Sequence, residues 1–181
     1  TFSGYGHRSR DFVRSLIAAK SKEWDIKILP QQWGSTPWGY LEDNDPLKKH
    51  YLSEGQHPQP EVWMQITIPN EFKRQGKFNI GVTAGIESTA PPIDFIEGMN
   101  RMDLNLVSSH FTKNTFQSIE IVQNDKKGNP VKTVKSEKPI EVLFEGLDTG
   151  VYFKEVNKSG LLDHIEENFC YLFTGHWLPG N

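Results

Sequence analysis

The residues of this chain that could do chemistry gather in short turns. Thr83-Ala84-Gly85-Ile86-Glu87-Ser88-Thr89 puts a carboxylate, hydroxyls and a glycine in one turn. Glu87 is the catalytic candidate. A carboxylate there can act as a general base or accept a hydrogen bond from a sugar hydroxyl. Its competing role is to cap the helix that Pro92 opens. Thr83, Ser88, Thr89, Ser108 and Ser109 can donate hydrogen bonds to a polar ligand, or serve only turn and cap chemistry. Gly85 and His110 complete the substrate-binding candidates. Near the amino end, Gly4-Tyr5-Gly6 precedes an amphipathic helix. Amides at such a helix start can hold a phosphate, and His7 and Arg8 would add charge. Two glycines alone also suit a simple strand-to-helix turn.

Other chemistries find no support in the spacing. The six histidines are dispersed, and none pairs with another at helical spacing for a metal. No phosphate-loop lysine motif, nucleophile elbow or kinase set appears. The single cysteine, Cys170, lies in an apolar run and reads as an inert core thiol. It excludes an internal disulfide framework and fits a reducing, cytoplasmic location. The net charge of -3 gives no electrostatic reason to expect nucleic acid. The lysine pairs 48–49 and 126–127 read as solvated surface. Neither a signal peptide nor an apolar run of bilayer length is present. The chain of 181 residues can bury one α/β core. It opens without Met on a glycine turn and closes on a strand-like run, so it reads as a fragment cut at both ends.

The elements that must position these residues follow from apolar periodicity. The central unit is strand, turn, helix, strand, helix. Residues 78–83 form a short apolar run, and Pro91-Pro92 opens a helix with Ile93, Ile96 and Met99 on one face. Residues 104–107 form a second run, and Ser108 or Ser109 caps a helix carrying Phe111, Phe116 and Ile119. Two buried strands joined by a helix imply a right-handed parallel crossover, with ligands outside the carboxyl ends. Before this unit, the pattern predicts an amphipathic helix over 8–20 with Phe12, Val13, Leu16 and Ile17 on one face. A strand is expected at 25–29 and a loop at 31–45, whose Trp33, Trp38 and Tyr40 could stack on a ligand or pack inward. A short helix capped by Asp45 should span 46–54, and a strand 61–68 whose Gln65 and Thr67 face either a ligand or internal partners. After it come a hairpin insertion at 118–136, a strand over 139–144, a turn over 145–150, a helix over 161–168 and a strand over 169–174. The fold class is α/β: a Rossmann-like, mainly parallel sheet with helices on both faces and its first strand truncated.

These residues, in this order, resemble a known family. Gly4-Tyr5-Gly6 before a helix, Q-x-T-x-P from Gln65, and T-A-G-I-E-S-T from Thr83 come first. Asn100-Arg101-Met102-Asp103, L-V-S-S-x-F-x-K-x-x-F from Leu106, and V-L-F-E-G-L-D-T-x-V-Y from Val142 follow. The series is similar to the N-terminal half of GT-B glycosyltransferases. The nearest likeness is to the bacterial and phage group related to retaining, nucleotide-sugar-dependent transferases. It covers nearly the whole chain. Ser108 stands where that family commonly has Pro. The resemblance implies transfer of a hexose from a nucleotide sugar to a hydroxyl acceptor such as a glycan, without a metal or other cofactor. It implies an acceptor-side domain over 1–168 and the start of a second, donor-gripping domain over 169–181. Gly4, Tyr5, Gly6 and His7 would lie at the donor phosphates. Glu87, with Thr83, Gly85, Ser88 and Thr89, would line the cleft, and Ser109 and His110 the next strand end. Such a fragment would be inactive alone.

Two other readings stand beside it. One is a self-contained α/β domain for a nucleotide or small ligand. The other is a non-catalytic interaction module using the hairpin or the aromatic loop. Exposed cleft surface, or an orphan strand at 169–174, also predicts self-association.

Overall fold

The computed structural model of the chain describes residues 2–32, 34–37, 39–52, 55, 57–86, 88–153, 160, 164–167 and 169–171. The chain divides into two compact units, Thr1–Glu145 and Gly146–Asn181. The first is a Rossmann-like α/β unit. Its elements are helix α1 (Gly4–Lys20), a 3₁₀ turn (Pro46–His50), strand β1 (Val62–Ile66), a second 3₁₀ turn (Pro69–Glu71) and strand β2 (Phe78–Thr83). Helix α2 (Ile93–Asn100), strand β3 (Leu104–Val107), helix α3 (His110–Ser118), strands β4 (Glu120–Asn124) and β5 (Pro130–Lys135), and strand β6 (Ile140–Val142) follow. The sheet runs β1-β2-β3-β6, and every pairing in it is parallel. The expected insertion is an antiparallel β4–β5 hairpin.

Register puts Trp63, Asn79, Gly81, Thr83, Asn105, Val107, Ile140 and Val142 on one face. The core forms there. Val107 and Ile140 meet Ile96 and Met99 of α2, Phe116 of α3, Val134 of the hairpin, and Phe72. Phe72 is 1 % exposed. It is a lone aromatic in the otherwise polar stretch 71–77. Its partner is Gly81, where an added Cβ would lie 2.4 Å from the Phe72 ring. Gln65 and Thr67 turn out to face internal partners. Gln65 donates to the carbonyl of Glu71 (3.0 Å) and accepts from the amide of Lys73 (2.8 Å). Thr67 donates to the Glu71 carboxylate.

All four residues of the Asn100-Arg101-Met102-Asp103 run brace this unit. Asn100 donates to the Lys135 carbonyl and accepts from the Glu137 amide, each at 2.8 Å, fastening the hairpin exit to α2. Arg101 donates to the carbonyls of Phe72 (2.9 Å) and Asn70 (2.8 Å). Met102 is fully buried. Asp103 takes a two-pronged grip from Arg74 (2.9 and 3.0 Å) and accepts the backbone amide of Asn79 at 2.8 Å. The Arg74 guanidinium, then the Asn79 side chain and amide, hold the Asp103 carboxyl at about 2.

Several expectations are corrected. Helix α1 starts at Gly4, not Arg8, so Gly4, Tyr5, Gly6 and His7 form its first turn instead of a glycine turn before it. Ser3 is the cap, accepting the Gly6 amide at 3.0 Å. That side-chain bond, with packing of Tyr5, outweighs the poor helix propensity of two glycines. Segment 25–29 forms no strand, only a single parallel bridge between Ile28 and Tyr51. The expected helix over 46–54 is a 3₁₀ turn ending at His50, with Asp45 capping the amide of Leu47 at 2.8 Å. In the second unit, Asp148 accepts the amide of Tyr152 at 2.8 Å in the expected turn. Residues 164–167 are not helical, and 169–171 form no strand. Residues 161–163, 168 and 172–174 of those two expected elements lie outside the described residues. Cys170 is exposed, not buried. Among the described residues no helix is long and apolar enough to cross a membrane.

Candidate functional site

Strands β2, β3 and β6 end together, because parallel pairing aligns Thr83 with Val107 and Val107 with Val142. Their carboxyl edge collects most of the predicted site. Thr83 closes β2 and is 3 % exposed. Its hydroxyl meets the Tyr5 hydroxyl at 3.1 Å and accepts the Gly85 amide at 3.2 Å. Tyr5 also accepts the Ala84 amide at 3.3 Å. In the next peptide group, the Ala84 carbonyl accepts from Ser108 at 3.2 Å and from Thr112 at 3.5 Å. Three separate segments thus hold one turn: α1, the end of β3, and α3.

Gly85 is needed in this turn. Its φ is +89°, a left-handed value that side chains disfavour. An added Cβ would sit 2.1 Å from Cγ2 of Thr112, so the turn lies directly on α3. Ser109 is the α3 cap. It accepts the Thr112 amide and donates to the Thr112 hydroxyl, both at 3.1 Å. Ser88 accepts the Ala90 amide at 3.4 Å within its own turn, and Ser88 and Thr89 are exposed. Glu87 lies outside the described residues, as do Trp33 and Trp38. Tyr40 of the aromatic loop stays exposed and rests against the start of the chain. The Arg10 guanidinium lies 3.4 Å over its ring, and Phe2 meets it edge-on at 5.0 Å.

The site residues therefore divide. Tyr5, Thr83, Gly85 and Ser109 come together, with Ser108 joining them. His110, the first residue of α3, stands at the same edge beside Phe144, their ring centroids 5.6 Å apart. His7 turns aside to Asp11, 3.2 Å away. Gly4 and Gly6 belong to the same helical turn as Tyr5, and the Gly6 amide is occupied by Ser3.

Phe144 and Glu145 were not singled out by sequence reasoning. Arg8 reaches the edge from α1 and donates to the Leu143 carbonyl at 3.5 Å. Its Nε lies 3.7 Å from the Glu145 carboxylate. The available signal was positional: Phe144 ends, and Glu145 follows, a predicted strand whose end faces the ligand edge. Two concavities lie away from this edge. One, of about 450 Å³, is lined by Tyr40, Glu42, Asn44, Asp45 and Pro46. The other, of about 390 Å³, lies between α2 and β5, where Lys132 and Glu97 pair at 2.8 Å.

The fold and edge define a Rossmann-like α/β unit with its polar turns gathered at the carboxyl ends of parallel strands. No family model, curated protein or solved structure matches the chain.

Proposed function

We propose that the carboxyl edge of the first unit is one wall of the substrate cleft of a nucleotide-sugar-dependent glycosyltransferase with the GT-B architecture. The observation that carries this reading is the convergence on Ala84. Hydroxyls from α1, from Ser108 just after β3, and from α3 hold its amide and its carbonyl, and so brace the turn after β2. A turn braced from three directions holds Thr83, Ala84 and Gly85 at a defined place on the ligand edge. Arg8, on the same edge, is the cation for the donor diphosphate. It takes over the part that sequence reasoning assigned to the amides of Gly4 and Gly6. A guanidinium grips phosphate oxygens two at a time, which suits it to this role. The order of motifs along the chain supports the same reading.

The test is amide chemical-shift mapping of the 181-residue chain with UDP-glucose and with GDP-mannose. Shifts at Ala84, Gly85, Ser109 and His110 are expected from one of the two donors, with weakening in Arg8→Ala. Absence of shifts at that edge for both donors, up to concentrations covering a Kd of about 10 mM, would overturn the reading.

A further inference from the structure

We propose that the exposed ring of Phe144, set by His110 and flanked by Glu145 and Arg8, is a stacking subsite for the pyranose ring of the acceptor. This deepens the glycosyl-transfer reading and rests on it for the choice of ligand.

The first ground is the exposure of Phe144. It follows strand β6, whose Ile140 is 1 % exposed, yet Phe144 itself is 64 % exposed. It lies at the carboxyl edge, where the polar turns gather. The second ground is its support. His110 occupies the first position of α3, anchored there by the Ser109 cap. It meets Phe144 in a T-shaped contact, with the ring planes at 72°. This contact sets the tilt of the phenyl ring and engages only one side of it.

The third ground is the polar pair beside it. The Glu145 side chain is 56 % exposed, and its carboxylate stands 3.7 Å from Arg8 Nε, beyond hydrogen-bond distance. A carboxylate offers about four acceptor positions and a guanidinium five donors. One Arg8 donor goes to the Leu143 carbonyl. The other Arg8 donors serve the donor diphosphate, and the acceptor positions of Glu145, the next residue after Phe144, face solvent.

A ligand for this place needs an apolar face and a rim of hydroxyls. An apolar peptide side chain would cover Phe144 but strip water from Glu145 without replacing its hydrogen bonds. A pyranose satisfies both demands. Its axial C–H groups lie on the phenyl face, and its equatorial hydroxyls donate to Glu145.

The experiment is saturation-transfer NMR on the intact chain with methyl α-glucopyranoside, methyl α-mannopyranoside and methyl β-galactopyranoside. Cyclohexanol and UMP serve as apolar and nucleobase probes. For at least one pyranoside, transfer is expected mainly to ring protons of one face. Phe144→Ala should weaken binding roughly fivefold, while Phe144→Trp retains it. Glu145→Gln should weaken the pyranoside and leave cyclohexanol unaffected. Because Phe144 is exposed, thermal melts of its variants should match the parent. Absence of transfer to all three sugars, or equal transfer in Phe144→Ala, would overturn the subsite. So would Phe144-dependent binding confined to cyclohexanol or UMP. If the donor shifts at Ala84 and Ser109 persist, such a result removes only the subsite. If they vanish as well, the glycosyl-transfer reading falls with it.

Discussion

Gly85 shows how a single residue holds the candidate site in shape. Its left-handed backbone lets the turn after β2 lie against Thr112, which in turn donates to Ala84 and is held by the α3 cap. Gly85→Ala meets two penalties there. The first is the left-handed conformation, which costs an L-residue about 1–2 kcal/mol. The second is the Thr112 methyl, 2.1 Å from where the new Cβ would stand. Thr112→Ser removes that methyl and keeps the hydroxyl. We expect Gly85→Ala to destabilise the chain by about 2–3 kcal/mol in urea unfolding. Adding Thr112→Ser should return about 1 kcal/mol of that loss and leave the backbone term. If the double variant is no more stable than Gly85→Ala alone, the close approach of turn and helix is wrong. The glycine was legible from sequence as a turn residue. Its close contact was not, because Thr112 lies in another helix and nothing in the local pattern joins the two.

At the scale of elements, the same comparison separates two other glycines. Gly98 of α2 rests on the 3₁₀ turn at Pro69. An added Cβ would lie 1.8 Å from the Pro69 carbonyl oxygen, a backbone atom that cannot swing away. Arg101, one turn later, fixes the same segment through Asn70 and Phe72. Gly4 stands in the first turn of α1 with nothing within 4 Å of an added Cβ. We expect Gly98→Ala to cost about 3 kcal/mol or more. Gly4→Ala should raise stability by about 0.5–1 kcal/mol through helix propensity alone. Urea titration of both variants checks this, and a loss on Gly4→Ala would mean that its open surroundings are misassigned.

Asp103 adds a pH signature to the start of β3. Its folded value, about 2, lies below its ordinary 3.8, because Arg74 and Asn79 favour the ionised form. The folded state then holds fewer protons than the unfolded state between these values. The contribution of Asp103 is full above about pH 4 and drains as pH falls through 2. Asp103→Asn should give a lower urea midpoint at pH 6 and a shallower decline below pH 4. Parallel acid limbs in the two proteins would show that the carboxylate contributes nothing specific. Elements with continuous apolar runs were legible in the sequence: β2 and β3 end where those runs end. Segment 25–29 was not, because its charged alternation suits an exposed bridge as well as a strand. Phe72 escaped because one aromatic in a polar stretch has no period, and Gly81 makes room for it only in three dimensions.

For the whole molecule, the placement of the core decides which part of the chain can fold by itself. Every residue of the main core cluster falls between Phe72 and Ile140. The helix that packs on β1, and the turns that brace Ala84, also lie within Thr1–Glu145. The second unit shows large exposed side chains instead, with Phe153 at 70 %, Phe169 at 71 % and Tyr171 at 93 %. A unit with its own buried core can fold alone. A chain ending at Glu145 should therefore keep a single cooperative melt, within about 4 °C of the parent, equivalent to about 1 kcal/mol at this size. It should also retain the UDP-glucose or GDP-mannose shifts at Ala84 and Ser109, because the residues assigned to that edge stay in the shortened chain. Loss of cooperativity would mean that the buried set from Phe72 to Ile140 is not a sufficient core. A normal melt without those shifts would place the donor determinants beyond Glu145, and so separate the fold from the function proposed for it.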